Sequence, residues 1–321
     1  MTRHAEHTTH ISAPPDSAYR IIADVTTWPV FFPPTLRAVR LSGDDREEQV
    51  RIWAMAHARP RTWVSVRKLD PDARTVRFEQ TEPSAPVAAM RGEWRIENDG
   101  DGGCRAMLTH DYAAVGDDQS ALALIDRAVE DNSAAELAAL RQAAERAASS
   151  AGLTLEFSDA ETIHGSLEAA YDFVNSCGEW PERLPHVLRV EHTEDEPGLQ
   201  FMEMDTRSPD GSVHTTASGR VCVPGERIVY KQTKLPSAMR AHSGEWTFER
   251  AGNGTVRVTS RHTVVIDLEA ARGLAAEKLD LAAVRSRIRE TLGANSRATL
   301  RAAKAYAEAG HENATSERTE R

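Results

Sequence analysis

The densest set of groups that could do chemistry in this 321-residue chain is Trp63-Val64-Ser65-Val66-Arg67. Read as a strand, alternation sends Trp63, Ser65 and Arg67 to one face and Val64 and Val66 to the other. A guanidinium stays charged when desolvated, so Arg67 facing a cavity could stabilise an enolate or alkoxide oxygen. The opposite orientation, with Arg67 on a wet face and the valines in the core, fits the alternation equally well. His110 shares a strand face with Leu108 and Tyr112, and imidazole is the usual group for moving protons near neutral pH. Its other reading is a histidine that merely serves the fold. Trp63 could be a flat wall for a planar substrate. Trp28 and Met90 could line a cavity or pack a core. Asn132 falls mid-helix, where asparagine is a poor helix former; a pocket hydrogen bond or a local kink would explain it.

Few other chemistries fit. No segment matches a phosphate loop, a nucleophile elbow or a metal site, and His4, His7 and His10 lack companion ligands. No cofactor is therefore expected. Residues 1–150 hold 18 Lys+Arg against 23 Asp+Glu, and the remainder 21 against 26, so each half carries −5. That acidic balance argues against a nucleic-acid partner and against attraction to anionic membranes. No apolar run approaches the roughly 20 residues of a membrane span, and Met1 to His10 lacks the apolar segment of a signal peptide. Cys104, Cys177 and Cys222 have no ligand spacing. A cytoplasmic protein with reduced cysteines is the expectation.

The elements that must position these groups are written twice. Trp28-Pro29 recurs as Trp180-Pro181, Phe78-Glu79-Gln80-Thr81 as Tyr230-Lys231-Gln232-Thr233, and Gly92-Glu93-Trp94 as Gly244-Glu245-Trp246, always 152 residues on. Each copy opens with a strand (about His7–Ser12 in the first) and a helix, started in the first copy by Ala13-Pro14-Pro15-Asp16, with Ala18, Ile21, Ile22 and Val25 on one face. A short helix follows at Trp28 or Trp180. Strands broken by Ser42-Gly43-Asp44, Asp70-Pro71-Asp72 and Asn98-Asp99-Gly100 come next. In one of them Ala88, Met90, Gly92, Trp94 and Ile96 share a face, as a half-wet antiparallel sheet requires. An alanine-rich helix from about Gln119 to Ala148 covers that sheet; residues 268–309 repeat it with about 11 extra residues. The predicted fold is α+β: tandem helix-grip domains, residues 1–150 and 151–321, joined near Ser149-Ser150-Ala151-Gly152. Each has a curved antiparallel sheet around a long C-terminal helix. The tail from Gly310 is expected to fray.

Polar residues kept in only one copy are candidates for function. At the 152-residue offset Trp63, Ser65 and Arg67 face Thr215, Ala217 and Gly219, which suggests a working pocket in the first copy and a structural or degenerate one in the second. His110 is kept as His262, and convergence of His262, Tyr230 and Arg220 would argue otherwise. Arg59, Arg61 and Lys68 could meet an acidic carrier protein or simply form a solvated face.

The repeated plan, the Trp28-Pro29 and Gly92-Glu93-Trp94 signatures and, above all, Trp63-x-Ser65-x-Arg67 resemble the aromatase/cyclases of bacterial type II polyketide synthases, START-like (Bet v 1-like) proteins whose di-domain members span two such copies. The resemblance covers residues 5–309. It implies a poly-β-ketone substrate on an acyl carrier protein, already ketoreduced. It further implies first-ring C7–C12 aldol closure, then dehydration or aromatisation, in antibiotic biosynthesis. Ketoreductase and ketosynthase would be neighbours. Arg67 and His110 would be catalytic, and Trp28, Trp63, Ser65, Met90, Tyr112 and Asn132 would bind substrate. Thr35 stands where single-domain relatives often have a tyrosine, so Tyr112 or a water would have to replace it. The competing readings are a non-catalytic lipid or polyketide carrier and an interaction module of the synthase.

Overall fold

A computed structural model describes residues 2–56, 59–100, 102–146, 152–207, 211–273 and 280–319. The chain divides into two compact units, Met1–Ala151 and Gly152–Arg321. Residues 149–151 of the expected join, and 147–148 of the expected covering helix, lie outside the described residues.

The first unit runs β1 (Arg3–Ile11), α1 (Pro15–Ala23), α2 (Trp28–Phe31), β2 (Thr35–Gly43), β3 (Glu47–Ala56), β4 (Arg59–Asp70), β5 (Thr75–Glu82), β6 (Val87–Asn98), β7 (Cys104–Ala114) and α3 (Gln119–Arg146). All seven strands form one antiparallel sheet in the order β1-β7-β6-β5-β4-β3-β2. The second unit repeats it: β8 (Thr154–Ile163), α4 (Leu167–Asn175), α5 (Trp180–Arg183), β9 (Val187–Glu196), β10 (Leu199–Arg207), β11 (Val213–Val223), β12 (Arg227–Lys234), β13 (Met239–Arg250), β14 (Val256–Ile266), α6 (Leu268–Gly273) and α7 (Leu281–Thr319). Its sheet has the same order, β8-β14-β13-β12-β11-β10-β9. The long helix buries one stripe, Leu122, Ile125, Val129, Leu137 and Leu140 in α3, so sheet and helix share a core. α7 runs on past Gly310 to Thr319.

Two recurring signatures have plain physical causes. The Trp-Pro and the strand arginine both serve the end of the first helix, whose last carbonyls lack partners within the helix. Trp28 Nε1 donates to Ile21 O (3.1 Å), and Arg67 donates to Ile22 O and to Ala23 O. In the second unit Trp180 Nε1 donates to Phe173 O (3.2 Å), while Arg220 donates to Val174 O (2.7 Å) and Asn175 O (3.3 Å). The glycine of Gly-Glu-Trp makes room for an aromatic ring. A Cβ on Gly92 would meet Phe78 at 2.5 Å, and one on Gly244 would meet Tyr230 at 2.3 Å.

The register corrects the equivalence drawn across copies. Ile52, Val50 and Glu48 pair with Trp63, Ser65 and Arg67; Met204, Met202 and Gln200 pair with Thr216, Ser218 and Arg220. The offset is 152 on β10 and β12 but 153 on β11. The hairpin before β11 is one residue longer and the turn after it one shorter. A one-residue slip moves every side chain to the other face. Thr215, Ala217 and Gly219 are therefore not the counterparts: serine and arginine are kept as Ser218 and Arg220, and only the tryptophan is lost.

Arg67 and Glu48 are both buried and joined at 2.6 Å, with Arg40 on the other carboxylate oxygen. Removing one partner of such a pair strands a buried charge. Arg67→Ala is expected to cost about 3–5 kcal/mol in urea unfolding. Glu48→Gln should cost far less, since Gln200 accepts from Arg220 at 2.7 Å in the second unit. Equal losses in the two variants would contradict this account.

Candidate active site

Each unit encloses a cavity between its sheet and its long helix. The N-terminal one holds about 400 Å³, within the usual range for small-molecule sites, roughly 300–1,000 Å³. Of the residues expected to form a site, Trp28, Trp63, Met90, His110 and Asn132 line it. Asn132 reaches it from α3, where its amide donates to Met55 O (3.2 Å). Ser133 beside it has a buried hydroxyl without a partner, and Thr35, Arg59, Arg61, Gln80, Ser84 and Glu136 are also in the lining. The inward face of β6 departs from strict alternation. A bulge between Val87 and Ala89 leaves Ala88 exposed and brings Val87 and Met90 to the cavity.

Three expected site residues are not in this lining. Arg67 faces inward as alternation allows, but Glu48 and the α1 carbonyls occupy its amino groups, and its guanidinium lies 5.0 Å from the centre of the Trp28 ring. Ser65 is buried beside it on β4. Tyr112 turns toward α3: its hydroxyl donates to Asp126 (2.8 Å), and its ring packs among Leu122, Ile125 and Val129. Burial and that carboxylate push its hydroxyl up to about 12. It is therefore poorly placed to stand in for the absent tyrosine at position 35.

The C-terminal cavity is smaller, about 120 Å³, and its lining includes Trp180, Thr216, Ser218, Arg220, Tyr230 and His262. The three residues whose convergence would argue for chemistry here do line one cavity. His262 is held by four polar groups: Tyr230 OH (3.0 Å) and His242 Nε2 (3.0 Å) at Nδ1, Ser296 Oγ (2.6 Å) and Ser260 Oγ (3.2 Å) at Nε2. Its counterpart His110 stands among Phe78, Met90 and Leu108 at the equivalent strand positions, and its Nδ1 has no partner. One imidazole sits in an apolar cage, the other in a polar one. The signal was legible at the 152-residue offset, where Phe78, Met90 and Leu108 become Tyr230, His242 and Ser260.

Comparison with known proteins bears on this pair of cavities. Residues 2–145 and, separately, 163–293 match families described as polyketide cyclase/dehydrase and lipid transport. The chain is 41% identical to the actinorhodin polyketide synthase bifunctional cyclase/dehydratase of Streptomyces coelicolor, covering 94% of this chain and 96% of that one. It is 39% identical to the granaticin bifunctional cyclase/dehydratase of Streptomyces violaceoruber, over 92% of each. Among solved structures, the di-domain aromatase/cyclase BexL of the BE-7585A pathway superposes with a TM-score of 0.81 at 44% identity, over 95% of this chain and 99% of that one. StfQ of the steffimycin pathway gives 0.77 at 33%, over 95% and 98%. This chain belongs to the di-domain polyketide aromatase/cyclases.

Within this aromatase/cyclase the described residues contain no cluster of three or more His, Cys, Asp or Glu that could hold a metal ion. No described helix is long and apolar enough to cross a membrane. Several of the titrating groups facing the cavities are imidazoles, and burial sets the state of His110, His242 and His262. It holds His110 and His262 down at about 4 and His242 at about 3, against 6.5 for an ordinary imidazole. All three are therefore neutral at neutral pH and able to accept protons. Burial raises the Tyr230 hydroxyl well above its usual value, with the Arg220 charge opposing.

Neutral buried histidines couple stability to pH. Between pH 6.5 and about 4 the unfolded chain takes up protons that the folded aromatase/cyclase does not, so stability rises with pH across that window. The melting temperature should fall steadily from pH 6.5 to pH 4. His242→Met, which installs the residue found at this position in the first unit, should flatten the slope. An unchanged melting temperature across the window would contradict the burial of these imidazoles in neutral form.

Proposed function

We propose that the N-terminal cavity closes the first ring, C7–C12, of a ketoreduced poly-β-ketone held on an acyl carrier protein, and that the enzyme then dehydrates and aromatises it. The observation that carries this reading is a buried, neutral imidazole with an unpartnered nitrogen, His110, in the wall of a 400 Å³ cavity that also presents Trp28 and Trp63. The curated relatives named above are cyclase/dehydratases of such synthases, which supports the reaction class. The choice of ring and the reduced state of the chain rest on the family resemblance.

The chemistry follows from the groups present. A methylene between two carbonyls is already acidic, and the neutral imidazole of His110 in the cavity wall can take its proton. The enolate carbon then attacks a carbonyl further along the chain, and the same proton, returned by the imidazolium, quenches the new alkoxide. The Ser133 hydroxyl and the Asn132 amide are positioned by α3 to hold carbonyl oxygens. Trp28 and Trp63 supply flat apolar surface that favours the folded chain over extended ones. Holding the reacting atoms together can contribute about 7–11 kcal/mol in well-oriented cases. Arg67 enters as a positioning residue, fixing Trp28 and the end of α1 in the cavity wall. Arg59 and Arg61 in the lining suit an acidic carrier protein, with ketoreductase and ketosynthase as neighbours in the same synthase.

The test is His110→Ala in a reconstituted synthase. Ring-closed product should fall about 10²-fold or more, with uncyclised shunt products in its place. Trp63→Ala should instead redistribute product among rings of different position. Unchanged product amount and pattern in both variants would exclude the N-terminal cavity as the closing site.

A further inference from the structure

We infer that the C-terminal cavity is a second acid–base site, in which Tyr230 and His262 eliminate water from the ring-closed β-hydroxy ketone. The inference rests on ring closure in the N-terminal cavity for its substrate, but on different residues for its chemistry.

The hydrogen-bond pattern sets the direction of the cluster. Ser296 Oγ donates to Leu292 O in its own helix (3.0 Å), so it accepts from His262 at 2.6 Å. That places the His262 proton on Nε2 and leaves Nδ1 bare. Two groups converge on Nδ1, the Tyr230 hydroxyl and His242 Nε2, each at 3.0 Å. Gln232 Oε1 accepts from His242 Nδ1 (3.0 Å), which leaves His242 Nε2 without a proton, so Tyr230 alone donates to His262 Nδ1. The result is a base and an acid side by side in one cavity wall, backed by a buried polar network and by the fixed charge of Arg220. A fold-serving histidine does not need this arrangement, because His110 occupies the same position with Phe78, Met90 and Leu108 around it.

The size of the cavity selects the substrate. About 120 Å³ cannot hold a full-length chain; an engineered cavity of roughly 150 Å³ takes one benzene. At that scale only the reacting edge of a closed ring, with its hydroxyl and α carbon, enters the cavity, and the remainder stays outside. In the step, His262 Nδ1 takes the hydrogen α to the ketone as a proton. The C–H electrons form the C=C bond as the C–O bond breaks, and the Tyr230 hydroxyl gives its proton to the departing oxygen, releasing water. The imidazolium then returns its proton to the tyrosinate across the 3.0 Å hydrogen bond. No redox partner is needed.

The first unit supplies the test variants. Tyr230→Phe installs the residue found at the equivalent position, Phe78, and Thr216→Trp installs the counterpart of Trp63, filling the cavity. Each would be assayed in the reconstituted synthase with mass analysis of products, alongside melting curves and His110→Ala. Both variants should still melt cooperatively, retain ring closure, and accumulate a product heavier by one water, with dehydrated product down about 10²-fold. His110→Ala should give unclosed shunts instead. A parental ratio of dehydrated to hydroxylated product in either folded variant would overturn the inference. So would unclosed shunts from Tyr230→Phe, since the cluster would then act in closure. Should His110→Ala alone leave products unchanged, the N-terminal reading fails while a block in Tyr230→Phe still upholds the second site.

Discussion

In each unit the end of one nine-residue helix is tied to the sheet by a tryptophan and an arginine. The last carbonyls of α1 and α4 accept from Trp28 and Arg67, and from Trp180 and Arg220. Neither helix ends in the glycine motif that would satisfy those groups locally. The donors must therefore come from elsewhere in the fold, and supplying them fixes the helix, the Trp-Pro turn and β4 or β11 relative to one another. That junction forms part of the cavity wall in both units. A guanidinium used this way also holds the cavity wall in place.

On this common frame the two cavities diverge through a handful of side chains. Trp63 gives the N-terminal cavity an aromatic wall that Thr216 does not give the C-terminal one. Phe78, Met90 and Leu108 against Tyr230, His242 and Ser260 distinguish an isolated imidazole from a networked one. An isolated neutral imidazole suits abstraction of an already acidic proton. Loss of hydroxide needs an acid as well as a base, and the networked imidazole has one at 3.0 Å. Two copies of one fold can thus divide two consecutive proton transfers without new architecture.

Most of the fold was legible because period and punctuation agree: apolar residues at helical spacing in α1 and α4, alternation in the strands, and turn residues between them. Five of the eight expected site residues meet in one cavity, since alternation places Trp63, Met90 and His110 inward. What remained hidden was phase. Two compensating one-residue changes, before and after β11, leave the repeat at 152 on either side and shift it only within the strand. Linear comparison therefore paired Arg67 with Gly219 when its partner is Arg220. Tyr112 was misplaced for a different reason. A strand face reveals burial but not what the hydroxyl meets, and Asp126 comes from α3, a helix whose rotation the strand pattern does not encode.

The most direct measurement is a crystal structure of the enzyme with a carrier protein bearing a stable chain mimic that cannot close. The account places the mimic in the N-terminal cavity, against Trp28 and Trp63, with a methylene flanked by carbonyl mimics within hydrogen-bonding reach of His110. A chain seated outside that cavity, or with its reactive carbon turned away from His110, would contradict it.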